Sequence, residues 1–287
     1  MYQIILNPVA GKKKALKNLQ TVEKILTERN IAYQVHKSTC ARDAENIARR
    51  LTEDGGKNLL VLGGDGTLHE VLNGIVDPTQ GTLGLIPSGT GNDFAEQMKL
   101  SLDVEKATLK ILNGEAKEID YLEIGDRRCM NVAGLGMDVD VLERCQKGRM
   151  KGKLKYLKSL LQSVFKFKGY PVLIQNGELE EKHDVLIAAV CNGAQFGGGI
   201  KICPGALADD GKIEVIVVET IGGRWKLIKA LLKLLKGKIL EYPATTHFHC
   251  DRIKFIPDTP CTVQLDGELY TGLDFDVKIR RGLKFYC

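Results

Sequence analysis

Two aspartates stand inside glycine-rich turns: Asp65 in VLGGDGTLHE (61–70) and Asp93 in PSGTGNDFA (87–95). Glycine after a buried strand permits positive φ and lets a ligand approach backbone N–H groups. A helix starting just beyond adds the positive end of its dipole, which suits phosphate. A carboxylate in such a turn repels phosphate unless a cation lies between them. Mg²⁺ shared by one or two carboxylates and the phosphates themselves is the usual answer. The structural alternative is that each aspartate caps the helix that follows it. Two such turns in one chain, worded GDGT and GTGND, favour a nucleotide with magnesium. Asn7–Gly11 (NPVAG) is a third turn of the same kind. None of the three fits GxxxxGK[ST] or GxGxxG, and each taken singly also serves merely to turn a strand into a helix.

The turns sit in a β/α rhythm. YQIIL (2–6), AYQVHKS (32–38), NLLVLGG (58–64) and TLGLIP (82–87) read as strands. Helical spacing runs through Leu16, Leu19, Val22, Ile25 and Leu26 over Lys14–Arg29, then over Arg42–Leu51 with Thr39 as a candidate cap, then over Thr67–Ile75. Such alternation predicts a parallel sheet with helices on both faces, a three-layer α/β domain. After about Tyr121 short β runs separated by turn residues have the spacing of an antiparallel sandwich or barrel. The expected domains are 1–122 and 123–279, with a final strand at 280–287 packing back on the first.

No apolar run of the 287 residues approaches the roughly 20 needed to span a membrane. MYQIILNPVAG has none of the regions of a signal peptide, so the chain is expected in the cytosol. The eight cysteines include no CxxC and read as reduced thiols. His247, His249 and Cys250 lie close together, but no second cluster completes a tetrahedral set, so they read as structural, without zinc. The net charge of +5 is local: Lys147–Lys168 holds eight Lys/Arg and no acid, Arg224–Lys238 six and no acid. Both segments carry an apolar stripe, Leu154, Leu157, Leu161, Val164 and Phe165 in one, Leu227, Ile228, Leu231, Leu232 and Leu235 in the other. That pattern belongs equally to a membrane-surface helix and to a core helix with a solvated basic face. No nucleic-acid motif accompanies the charge.

GGDGT (63–67), PSGTGNDFA (87–95) and NPVAG (7–11), in this order and spacing, resemble the diacylglycerol kinase-like lipid kinases, in their small soluble bacterial branch. GGDGT is shared with NAD and sphingosine kinases; PSGTGND tips the match to the lipid kinases. NVAGLGMDVDV (131–141), NGAQFGGGIKICPGALADDGKIEV (192–215) and VQLDGE (263–268) extend the resemblance over the whole chain.

The resemblance implies an NAD kinase-like α/β nucleotide domain, a mainly antiparallel β-sandwich domain and an active site in the cleft between them. ATP would take Asn7, Pro8, Val9, Ala10 and Gly11; Thr39, with Ser38 as its competitor; Gly63, Gly64, Asp65, Gly66, Thr67, Leu68, His69 and Glu70; and Gly89, Thr90, Gly91, Asn92 and Asp93. Asp65 would act in catalysis. A structural Mg²⁺ would be held by the Asp210 carboxylate and backbone carbonyls at Leu207 and Lys212, where the alternative is an ordinary Asp-Gly turn. Glu268 matches the proton acceptor for the lipid hydroxyl, although Asp266-Gly267 also reads as a two-residue hairpin turn. A lipid substrate makes the membrane reading of the basic segments stronger: peripheral binding to the anionic inner face, chiefly through Lys147–Lys168 and also through Arg224–Lys238. A homodimer stays open. The rivals are an NAD or sphingoid-base kinase, and a membrane-associated nucleotide-binding protein without catalysis.

Overall fold

The apolar runs Tyr2–Leu6 (β1), Tyr33–Lys37 (β2), Asn58–Gly63 (β3) and Thr82–Pro87 (β4) form a parallel sheet in the order β2-β1-β3-β4. The computed structural model describes residues 1–114, 116–147, 159, 162–163, 169–177, 179–220 and 222–287. They fall into two units, Met1–Asp120 with Arg281–Cys287, and Tyr121–Arg280.

In the first unit, period-2 alternation divides the strand side chains between two faces. Ile4, Leu6, Leu60, Leu62 and Ile86 meet Ala15, Leu19, Val22 and Leu26 of helix α1 (Ala10–Glu28) in one buried cluster. Helix α2 (Asp43–Glu53) packs against α3 (Asp65–Gly74). A short α4 (Asp93–Gln97) precedes α5 (Val104–Asn113), whose Asp103 cap accepts the Lys106 N–H, and α5 packs with α1. The C-terminal strand ends here: Phe285 pairs with Leu83 in parallel and meets Phe94 edge-on at 5.1 Å. Successive connections leave β1 in opposite directions, to β2 and then across to β3. The β1/β3 boundary is therefore the switch point at which open α/β sheets bind ligands, beyond the strand ends.

The second unit is antiparallel. Its elements are β5 (Ala116–Ile124, which begins in the first unit), β6 (Arg127–Cys129), β7 (Val132–Gly136), α6 (Met137–Lys147), β8 (Tyr170–Asn176), β9 (Leu179–Cys191), the pair β10 (Gln195–Phe196) and β11 (Ile200–Lys201), β12 (Ile213–Glu219), α7 (Arg224–Leu235), β13 (Thr245–Cys250), β14 (Arg252–Pro257), β15 (Thr262–Leu265), β16 (Glu268–Thr271) and β17 (Phe275–Tyr286). The long β9 pairs with β8 along its first half and with β7 and β12 along its second. Alternation again sorts the residues: Ile213, Val215 and Val217 of β12 enter a cluster with Phe255, Phe275 and Leu265 between the strands. Ile216 and Val218 enter another with Met137, Val141, Leu231 and Leu234 under the helices. The central strands are thus covered on both faces, which is why HDVLIAAVC reads as a continuous apolar run.

No described helix is long and apolar enough to cross a membrane. The basic segment 147–168 lies outside the described residues except for Lys147, Ser159, Gln162 and Ser163.

Candidate functional site

The segments expected to hold a nucleotide follow β2, β1, β3 and β4, which are neighbours in the sheet, so they line one edge of it. Asn7, after β1, donates its Nδ2 hydrogen to Thr67 Oγ1 at 3.0 Å, tying the first turn to the second across the switch point. The second and third turns touch through backbone: a Cβ on Gly64 would lie 2.8 Å from Gly89 Cα, and one on Gly89 2.6 Å from Gly64 Cα. A Cβ on Gly11 would lie 2.1 Å from the Ser88 carbonyl oxygen, closing first onto third.

Of these glycines only Gly11, at φ 55, uses the positive φ that glycine permits; Gly64 is extended at φ −114. Gly64 and Gly89 are required for space because their turns meet backbone to backbone, and Gly63 because its Cβ would lie 2.6 Å from the Thr67 side chain of the same turn. Gly64→Ala is expected to lower stability by about 1–3 kcal/mol through overpacking, read by urea unfolding. A variant as stable as wild type would show that the turns separate easily.

Lys12 and Lys13 follow Gly11 in the left-handed region (φ 58 and 72), inside the first turn of α1. Each costs roughly 1–2 kcal/mol for a residue with a Cβ. Strain of this kind concentrates where backbone is held for a ligand. The sequence gives no warning of it.

Asp65 opens α3, but its carboxylate accepts the N–H of Phe94 at 3.1 Å, in the first turn of α4. It thus caps the neighbouring helix and joins the two aspartate-bearing turns. Asp93 is buried. Both amide atoms of Asn92, itself left-handed at φ 58, serve the turn: Oδ1 accepts the Gly89 N–H and Nδ2 donates to the Gly89 carbonyl. Gly64, Asp65 and Gly66 are partly exposed, as are Pro8, Ala10 and Gly11, while Thr90, Gly91 and Val9 are exposed. Leu68 and His69 are buried in the unit, and Glu70 accepts the Ala44 N–H at the start of α2. The open part of the Gly63–Glu70 run is therefore its beginning. Thr39 is exposed and does not cap α2; its N–H and hydroxyl both donate to Asp43, and the residue before the helix is a left-handed Arg42.

In the second unit Asp266 (φ 52) and Gly267 (φ 89) are both left-handed, the conformation of a two-residue type I′ hairpin turn. Glu268 is the first residue of β16, exposed and opposite Leu265. The turn is clamped through Asp266, whose carboxylate accepts the N–H groups of Met130 and Asn131, each at 2.8 Å, and the Cys129 thiol at 3.2 Å. Burial, then the Asp266 carboxylate, push that thiol well above its usual range. Asp210 accepts the N–H of Lys212 at 3.1 Å, closing the DDG turn, and Leu207 is exposed beside it.

Asp138, in the NVAGLGMDVDV run, is a carboxylate not singled out from sequence. It is 4% exposed, its Oδ1 has no hydrogen-bond partner among the described residues, and burial pushes its pKa up to about 6. The folded state therefore keeps a proton that the unfolded chain releases near 3.8. Stability from this group is complete below 3.8 and is lost as pH rises through about 6. Asp138→Asn should remove a decline of at most roughly 2–3 kcal/mol across that window, measured as the difference in urea unfolding between wild type and variant. Parallel curves would show that Asp138 titrates normally.

Residues 1–124 match the diacylglycerol kinase catalytic domain, and residues 131–283 match the YegS C-terminal NAD kinase beta sandwich-like domain. A protein of Xanthomonas campestris pv. campestris named "Probable lipid kinase YegS-like" is 30% identical over 96% of this chain and 92% of its own. The diacylglycerol kinase of Bacillus subtilis is 26% identical over 94% of this chain and 90% of its own. A crystal structure of a diacylglycerol kinase from Bacillus anthracis str. Sterne superposes with a TM-score of 0.79 over 99% of this chain and 96% of that one; at 22% identity it shows the fold.

Proposed function

The chain belongs to the diacylglycerol kinase-like lipid kinases, the family of the YegS-like proteins, and on that premise we propose that it is an ATP- and Mg²⁺-dependent kinase for a hydroxyl of diacylglycerol or a related lipid. The observation that carries this reading is the backbone contact of Gly64 with Gly89, at the ends of adjacent strands, with the Asp65 carboxylate joining the same two turns. The contact holds the second and third turns together, and the accessible residues beside it, Gly66, Thr90 and Gly91, are where phosphate oxygens can approach. The first turn of α3 adds N–H groups that have no carbonyl partner within the helix. Asp65 and Asp93 are the groups that would hold the magnesium of Mg-ATP. When bound, that ion neutralises charge on the transferring phosphoryl group. Glu268 accepts the proton of the lipid hydroxyl as the new O–P bond forms, and the Asp266 clamp fixes the hairpin that carries it. A second, structural Mg²⁺ would be held by Asp210 with the carbonyls of Leu207 and Lys212.

The GGDGT wording alone also fits a kinase of NAD or of a sphingoid base. ADP release decides between them: it should rise with vesicles containing diacylglycerol and stay at background with NAD. Stimulation by NAD alone would move the acceptor to a soluble molecule.

Helix α7 supports docking on a lipid surface. Ala230, Leu231 and Leu234 are buried in the unit, yet Trp225, Leu232 and Leu235 are 80, 50 and 42% exposed among the lysines. Single exposed apolar residues are ordinary, but three at helical spacing beside lysines make a patch of the kind that lies on an anionic membrane. Lys233 is engaged by Glu241 at 2.9 Å, so Lys226, Lys229 and Lys236 are the charges to reverse. At about 1 kcal/mol lost for each positive charge on an anionic surface, with repulsion added, their replacement by Glu is expected to weaken binding to phosphatidylglycerol vesicles by at least about 10²-fold. Unchanged co-sedimentation would remove α7 from the docking surface.

A further inference from the structure

Three side chains from separate segments meet on one face of the second unit: Cys203, just after β11, Glu214 on β12 and His247 on β13. Their Sγ, carboxylate oxygen and imidazole nitrogen all lie within 4.8 Å of one another. The register accounts for two of them. Glu214 stands opposite His249, and Ile216 opposite His247, so Glu214 and His247 are diagonal neighbours on one side of the pair. His247 Nε2 lies 2.6 Å from Glu214 Oε2. Cys203 comes from the loop between β11 and β12, held by its N–H on the Ala194 carbonyl and by the Ala206 N–H on its own. Its Sγ lies 3.9 Å from the same Nε2.

We propose that Cys203, Glu214 and His247 form a binding site for a divalent zinc-type ion, with a fourth position left to solvent. Thiolate, imidazole and carboxylate are the ligands that zinc takes; around a tetrahedral ion their donor atoms stand about 3.3–3.6 Å apart. The sulfur–nitrogen distance exceeds that by a few tenths of an ångström, and the imidazole–carboxylate pair must open by less than about 1 Å. Both of those side chains have room to move, at 37% exposure for His247 and 17% for Glu214. A hydrogen-bonded His–Glu pair explains two of the three groups and leaves unexplained a buried thiol aimed at the same nitrogen.

Binding expels the thiol proton and any proton shared between His247 and Glu214. The thiolate, the carboxylate and the doubly charged ion then sum to zero, which suits a half-buried place. Thiolate and imidazole are poor ligands for magnesium, so this site is separate in chemistry from the phosphate turns and independent of the kinase reading. In sequence His247 lies beside His249 and Cys250; the fold gives it Cys203 and Glu214 as neighbours from elsewhere. A bound ion would tie the loop that carries Cys203 and Asp210 to β12 and β13.

The test uses the full chain, stripped with a chelator and titrated with Co²⁺ as a spectroscopic probe. The expected result is one Co²⁺ per chain, with sulfur-to-cobalt charge-transfer absorption that Zn²⁺ displaces, and a higher Tm with Zn²⁺. Cys203→Ser should abolish the charge-transfer band, and His247→Ala should weaken binding by at least about tenfold. Cys40→Ser, an exposed thiol in the other unit, should leave the band intact. Absence of the band, its survival in Cys203→Ser, or its loss in Cys40→Ser overturns the site. If Cys203→Ser does not fold, His247→Ala decides: a Zn²⁺-dependent Tm rise as large as that of wild type is equally fatal.

Discussion

Glu268→Gln is expected to lower phosphoryl transfer about 10²–10⁴-fold, the range for losing a general base, while Mg-ATP affinity stays nearly unchanged. Gln keeps the size of Glu and its hydrogen-bonding oxygen but takes no proton. Glu268 is exposed at the start of β16, and changes at such positions usually move stability by no more than about 0.5 kcal/mol. The Asp266 clamp, which the change does not touch, holds the hairpin in place. Activity and folding should therefore separate cleanly: normal Tm, normal nucleotide titration, almost no turnover. Turnover equal to wild type would remove Glu268 from the mechanism and leave it the next strand residue after a turn.

Asp65→Asn should weaken Mg-ATP binding by roughly 10–100-fold, the range seen when a metal loses a supporting carboxylate. Asn can still accept the Phe94 N–H through its amide oxygen, so the link between the two turns survives. What disappears is the negative charge. The result discriminates between the two meanings of this aspartate. If it serves only as the cap of α4, the variant titrates Mg-ATP as wild type does. If it serves the nucleotide, the titration shifts; in either case the kept Phe94 contact leaves Tm nearly unmoved.

The strand ends that carry these turns were legible because β3 and β4 are continuous apolar runs, and a buried parallel strand needs nothing else to announce itself. The antiparallel sandwich was legible for a related reason: its short runs are separated by turn residues, and Asp266-Gly267 fits a type I′ turn. What the turns are made of was not legible. Asp65 reads as a cap for its own helix, yet its partner lies 29 positions away at Phe94. His69 and Glu70 belong to a run that resembles a nucleotide site as a block, while helical geometry buries His69 and sends Glu70 to Ala44. Glycine in these turns reads as freedom for φ and for the approach of a ligand; the close approach between Gly64 and Gly89 depends on the neighbouring strand and is not written in either turn. Likewise α7 has one apolar stripe in sequence, and the structure divides it between core and solvent. In each case the missing information is the identity of a partner remote in sequence.

The most direct measurement is to incubate the purified chain with γ-labelled ATP, Mg²⁺ and mixed micelles containing diacylglycerol or phosphatidylglycerol, then extract and separate the lipids. Label should appear in one of these lipids with wild type and be absent with Glu268→Gln, which would establish the transfer and name the acceptor. No label in any lipid, from protein shown to bind Mg-ATP, would contradict the lipid-kinase assignment and favour a nucleotide-binding protein that docks on membranes without catalysis.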